Sequence, residues 1–171
     1  MAIRYPRGGE ETCEIDAAFN VLPIGKAELL KRGNDVALFA IGNTVNIALL
    51  ASDILEKEGV ECSVVNARYV KPLDEEILLD IARTTGRVLT IEENTLEGGF
   101  GSAVLQLIAR SELNDITVKC MGLPDEFIEH GAQTLLRSKY GLDADGIVKK
   151  VLTLYSDLPE NLGTHIEGKT Y

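Results

Sequence analysis

Long apolar runs are missing from this sequence: nowhere do its 171 residues reach the ~18 to 20 consecutive apolar residues needed to cross a bilayer. No apolar stretch follows the basic residues of the opening MAIRYPRGG either, so neither a membrane span nor an export signal is expected. Basic runs are equally scarce. With a net charge of -10 and nothing longer than the Lys31-Arg32 and Lys149-Lys150 pairs, the chain offers little footprint for a phosphate polymer, which argues against nucleic acid as a partner. Histidine is limited to His130 and His165, without ligand spacing such as HxxxH, so no metal site is expected. The three cysteines, Cys13, Cys62 and Cys120, lie far apart without CxxC spacing. Their odd number excludes a complete disulfide framework and fits a reducing cytoplasm. Cys62 and Cys120 sit in apolar runs and read as small core residues, not nucleophiles.

What is present is enough for one domain. Hydrophobic residues make up 45% and charges 26%, mixed in sign, which is not the composition of a disordered chain. Residues 1–20 read as an extended linker arm, 21–155 as the folded domain and 156–171 as a tail, because both ends mix Gly, Pro and polar residues without periodicity. Within the domain, a strand-like passage covers Leu22 to Gly25 and Ala27 to Leu30. Val36–Ile41 is a continuous apolar run suited to a strand covered on both faces. From Asn43 or Thr44, apolar residues recur at helical spacing until Gly59, a suitable helix stop. Cys62–Asn66, Arg87–Ile91 and Ile116–Cys120 read as further strands. Helices are expected after Asp74 as cap, from Gly98–Ser102 through Ile108, over 132–139, and over 143–154 with Asp143 as cap. The alternation predicts a three-layer α/β fold.

Four places could carry chemistry. The glycines Gly98, Gly99 and Gly101 with Ser102 stand where strand passes to helix, a position at which backbone N–H groups can meet an anion at the positive end of the helix dipole. Neither GxGxxG nor GxxxxGK[ST] is completed there, and close helix–sheet packing is the favoured reading. Glu92 and Glu93 follow a strand at the edge where open sheets place ligands, but adjacent strand residues point to opposite faces. One of them anchoring the following loop is therefore favoured over acid–base catalysis. His130 is either an acid–base group or a loop residue held at an interface. Arg4, Tyr5 and Arg7 in RYPRG offer guanidinium forks for phosphate oxygens, or else an exposed basic arm.

The blocks AIRYPRG (2–8), LPIGKAELLKRGNDVALFAIGNTV (22–45), NARYVKPLDEEIL (66–78), TIEENTLEGGFGSAV (90–104) and MGLPDEFIEHGAQTLLRSKYGLDADGI (121–147) resemble, in this order, the end of the 1-deoxy-D-xylulose-5-phosphate synthase branch of the transketolase family. The resemblance covers Ala2 to about Tyr155. It implies the transketolase C-terminal fold, a largely parallel five-stranded sheet in an α/β domain. It also implies a reaction joining two carbons of pyruvate to D-glyceraldehyde 3-phosphate, part of isoprenoid precursor biosynthesis. By the same resemblance Arg7 holds the substrate phosphate, with Arg4 and Tyr5 supporting it. No catalytic or cofactor-binding residue carries over, because the motifs for thiamine diphosphate and Mg2+ belong to preceding domains that this sequence lacks. The implied partners are those domains and a second copy in a homodimer, and the chain alone is expected to be inactive. The opposing reading is a non-catalytic subunit or assembly module that binds anions at Gly98–Ser102.

Overall fold

The structure, a computed structural model, describes residues 2, 3, 5 and 21–154. The described residues follow the order β1 (Glu28–Lys31), β2 (Val36–Ala40), α1 (Thr44–Lys57), β3 (Cys62–Asn66), α2 (Glu75–Thr85), β4 (Arg87–Thr95), α3 (Phe100–Arg110), β5 (Thr117–Leu123), α4 (Gln133–Lys139) and α5 (Ala144–Leu154). They form one five-stranded sheet in the order β1-β3-β2-β4-β5, parallel except for β1, which runs antiparallel to β3. The fold class expected from the alternation and from the resemblance is therefore the one observed.

Strand alternation builds the layers. Val36, Leu38 and Ala40 of β2 point to the face covered by α1 and α5, together with Val64, Leu89 and Ile91. Ala37 and Phe39 point to the face covered by α2 and α3, with Val65, Val88, Phe100 and Leu107. Every residue of β2 is fully buried, as a central strand between two helical layers must be. Helix α1 ends as expected: Gly59 takes φ +85, and Val60 N–H reaches back to Leu55 O at 2.9 Å.

Three local expectations need correction. Leu22 to Gly25 is a turn and not strand, with Gly25 at φ +73; the strand starts only at Glu28. Asp74 precedes α2 but does not cap it. Its carboxylate, almost buried, accepts instead from Ala27 N–H at 3.0 Å and from Lys26 Nζ at 3.4 Å, latching the entering chain to the loop before α2. Strand β4 runs on to Thr95, so Glu92 and Glu93 lie inside it. Asp143 does cap α5, accepting from Gly146 N–H at 2.8 Å.

Cys62 is buried in the core, and burial pushes its thiol up to about 12 from the ordinary value of 9.0. A thiol whose folded pKa is raised contributes stability that is complete below pH 9 and is lost as pH rises from 9 towards 12. Cys62 should therefore stay unmodified by a disulfide reagent at pH 8 until denaturant is added. Mass spectrometry of labelled peptides checks this; modification of folded protein at the rate of a free thiol would contradict it. Of the two described cysteines, Cys120 is only half-buried and should react before Cys62.

Candidate functional site

Strand order reverses between β2 and β4, since the chain steps from β2 to β3 on one side and then crosses to β4 on the other. In open α/β sheets that reversal leaves a crevice at the carboxyl ends of the strands, the usual place for a ligand. Here the ends of β2 and β4 are tied to each other. Ile41 N–H donates to Ile91 O at 3.3 Å, and the buried Thr44 hydroxyl shares its proton between Ile41 O (3.0 Å) and Ile91 O (2.9 Å), joining the ends of the two strands.

Beside it stands the most informative polar group in the domain. Glu92 is 2% exposed, and both of its oxygens are used: Oε2 accepts from Phe100 N–H and Oε1 from Gly101 N–H, each at 2.8 Å. A carboxylate thus sits on the first N–H groups of α3, where the helix dipole favours negative charge. The glycines fit around it. A Cβ on Gly99 would collide with Glu92 Oε2 and Thr95 O, and one on Gly101 would meet Thr90 Oγ1 at 2.7 Å and Cys120 Sγ at 2.8 Å. Ser102 Oγ donates to Leu96 O at 2.9 Å and accepts from Gly98 N–H at 3.1 Å, closing the loop. An external anion at Gly98, Gly99, Gly101 and Ser102 would have to displace the protein's own carboxylate. Gly99 and Gly101 are packed against neighbouring atoms, whereas Gly98 takes φ +73 with open space where a Cβ would stand.

Glu93, on the opposite face of β4, pairs with Arg137 of α4. That pair holds α4, a helix with no buried residue, over the carboxyl edge of the sheet. The two neighbouring acids therefore face different groups and do not converge. His130 is exposed in the loop between β5 and α4, and Tyr5 is exposed as well. Arg4 and Arg7 lie outside the described residues. A cavity of about 380 Å³ opens between β5 and α5, lined by Leu96, Met121, Tyr140, Lys149 and Lys150 among others, with no carboxylate or histidine in its wall. Among the described residues no three His, Cys, Asp or Glu side chains come together to hold a metal. With Glu92 fully engaged, the described residues do not fit an Mg2+-diphosphate group.

Arg68 was not anticipated. It adopts φ +55, unusual for a residue with a side chain, and its guanidinium pairs with Glu28 at 2.6 Å. With the Asp74 latch it fixes the start of β1 against the loop after β3. The partners are 40 or more residues apart in sequence, and no local pattern announces them.

Residues 25–147 match the family described as transketolase, C-terminal domain. The chain belongs to that family. Among curated relatives, it is 54% identical over 149 residues to a 1-deoxy-D-xylulose-5-phosphate synthase of Desulforudis audaxviator, covering 87% of this chain and 24% of the relative. It is 50% identical over 152 residues to 1-deoxy-D-xylulose-5-phosphate synthase 1 of Geobacter metallireducens, covering 89% and 24%. The domain thus spans about a quarter of the length of these relatives. A solved structure, titled as an inactive β4 tetramer of a split-gene transketolase, superimposes with TM-score 0.73 at 37% identity, over 79% of this chain and 44% of that one. No helix among the described residues is long and apolar enough to cross a membrane.

Proposed function

We propose that this chain is the C-terminal section of a 1-deoxy-D-xylulose-5-phosphate synthase, a cytoplasmic transferase that condenses pyruvate with D-glyceraldehyde 3-phosphate. The observation that carries the reading is 54% identity across 87% of the chain to a relative of that name. Within the reaction this section supplies Arg7, whose guanidinium binds the phosphate of glyceraldehyde 3-phosphate, with Arg4 and Tyr5 placing it. Thiamine diphosphate and Mg2+ are held by the remaining three-quarters of the enzyme, and the described residues here take no part in binding them. The complete enzyme works as a homodimer.

The α/β domain serves as a rigid base for the entering arm. Within it Thr44 and Glu92 are taken up by the domain's own hydrogen bonds, which leaves the chemistry to the arm and to the other domains. The split-gene relative, inactive as a β4 tetramer by its title, supports the expectation that the 171 residues alone turn nothing over.

The test is a chimera in which this chain replaces the corresponding quarter of the Desulforudis audaxviator relative. With thiamine diphosphate and Mg2+, the chimera should form 1-deoxy-D-xylulose 5-phosphate from pyruvate and glyceraldehyde 3-phosphate, while the isolated chain forms none. A folded chimera that binds the cofactor but makes no product would overturn the assignment.

A further inference from the structure

The carboxyl edge of the sheet gathers six of the exposed large apolar side chains among the described residues. Val21 (92% exposed), Leu22 (51%) and Ile24 (72%) precede β1, and because β1 runs antiparallel to β3, with Glu28 opposite Asn66, they lie at the carboxyl end of β3. Val70 (46%) is in the loop leaving β3 at the same end. Phe127, fully exposed at 107%, is in the loop leaving β5, and Leu135 (71%) is on α4, which the Glu93–Arg137 pair holds over this edge. Six large apolar residues from three separate segments thus share one edge. They form two lobes, at β3 and at β5, three strand spacings or ~14 Å apart in the sheet.

The lobe at β3 is braced. Asp74 accepts from Ala27 and Lys26, Arg68 pairs with Glu28, and Gly25 lies against Pro72, where a Cβ would approach the ring to 2.8 Å. Apolar groups presented on a braced backbone lose little conformational entropy when they are covered, which is the property of an interface anchor.

We propose that this edge is the docking surface for the polypeptide that precedes the domain in the complete enzyme, an inference that rests on the functional reading above and names the partner of its arm. The curated relatives are about four times as long as their match to this chain, so a large partner surface lies outside it. The chain enters the domain at Val21, on the edge itself, so whatever the arm leads to is tethered there at high effective concentration. Phe127 follows the exposed Asp125 and Glu126, so its lobe suits a partner face that brings basic groups. The matching face carries apolar hollows for Phe127 and Ile24, with a basic rim around the first.

Side-chain carbene footprinting tests this on the isolated chain and on the catalytically active chimera. Labelling of Phe127, Leu135 and Ile24 should be strong in the isolated chain and fall at least ~10-fold in the chimera, as for anchors at the desolvated centre of an interface. Leu50 and Leu105, exposed on α1 and α3 away from this edge, should change little. An active chimera whose edge labels as strongly as the isolated chain would overturn the docking surface and leave the functional reading intact. An inactive chimera with a protected edge would do the reverse. Equal loss of labelling at Leu50 and Leu105 would also overturn the proposal, as would protection that appears in the isolated chain at high concentration.

Discussion

Replacing Arg7 by Ala in the complete enzyme is expected to raise the KM for glyceraldehyde 3-phosphate by roughly 10- to 150-fold, and to leave the KM for pyruvate near its starting value. The size follows from the contact. A hydrogen-bonded interaction with a charged group contributes about 1.5–3 kcal/mol, and every 1.4 kcal/mol is a factor of ten in affinity. The selectivity follows from the substrates: only one of them carries a phosphate. Arg7→Lys should recover part of the loss, because a lysine restores the charge but not the planar two-pronged geometry that matches phosphate oxygens. Steady-state kinetics with each substrate varied in turn gives the answer. A variant that weakens both substrates alike would assign Arg7 to the fold of the arm and leave the phosphate without its ligand.

This prediction concerns a residue in the arm, and the contrast between arm and domain explains what could be read in advance. Strands such as Val36–Ala40 and helices such as Thr44–Lys57 declare themselves through apolar period, and Gly59 and Asp143 mark ends where local geometry alone decides. Asp74 misleads because two outcomes compete for one carboxylate. The local one, a cap on α2, loses to a partner 47 residues away, the N–H of Ala27, which has no strand neighbour to satisfy it otherwise. Arg68 and Arg137 were illegible for the same reason: their partners Glu28 and Glu93 are brought near only by the sheet. Glu92 lies between these cases. Strand alternation already separates it from Glu93, and glycines seven and nine residues later hint that a backbone must come close, but only the folded sheet shows that the close neighbour is the carboxylate itself.

The second large effect is on stability and falls on that carboxylate. Glu92→Ala should destabilise the domain by roughly 3–5 kcal/mol, because it strands the N–H groups of Phe100 and Gly101 without a partner in a buried position and leaves a void beside Gly99. For a domain of this size that lowers the melting temperature by on the order of 10 °C. Glu92→Gln separates charge from shape. It preserves the volume and one carbonyl acceptor but turns an NH2 donor toward the second backbone N–H, so its loss should fall between those of the alanine variant and the native protein. Glu93→Ala, one residue further on, removes a pair with Arg137 that solvent already reaches, and so should cost only about 0–1 kcal/mol. Chemical denaturation of the four proteins orders them: native, Glu93→Ala, Glu92→Gln, Glu92→Ala. If Glu92→Gln matched the native protein, the negative charge at the start of α3 would contribute nothing, and the helix dipole would have to be dropped as the reason a carboxylate is buried there. If Glu93→Ala fell as far as Glu92→Ala, the anchoring of α4 would belong to the folded core and not to a surface contact.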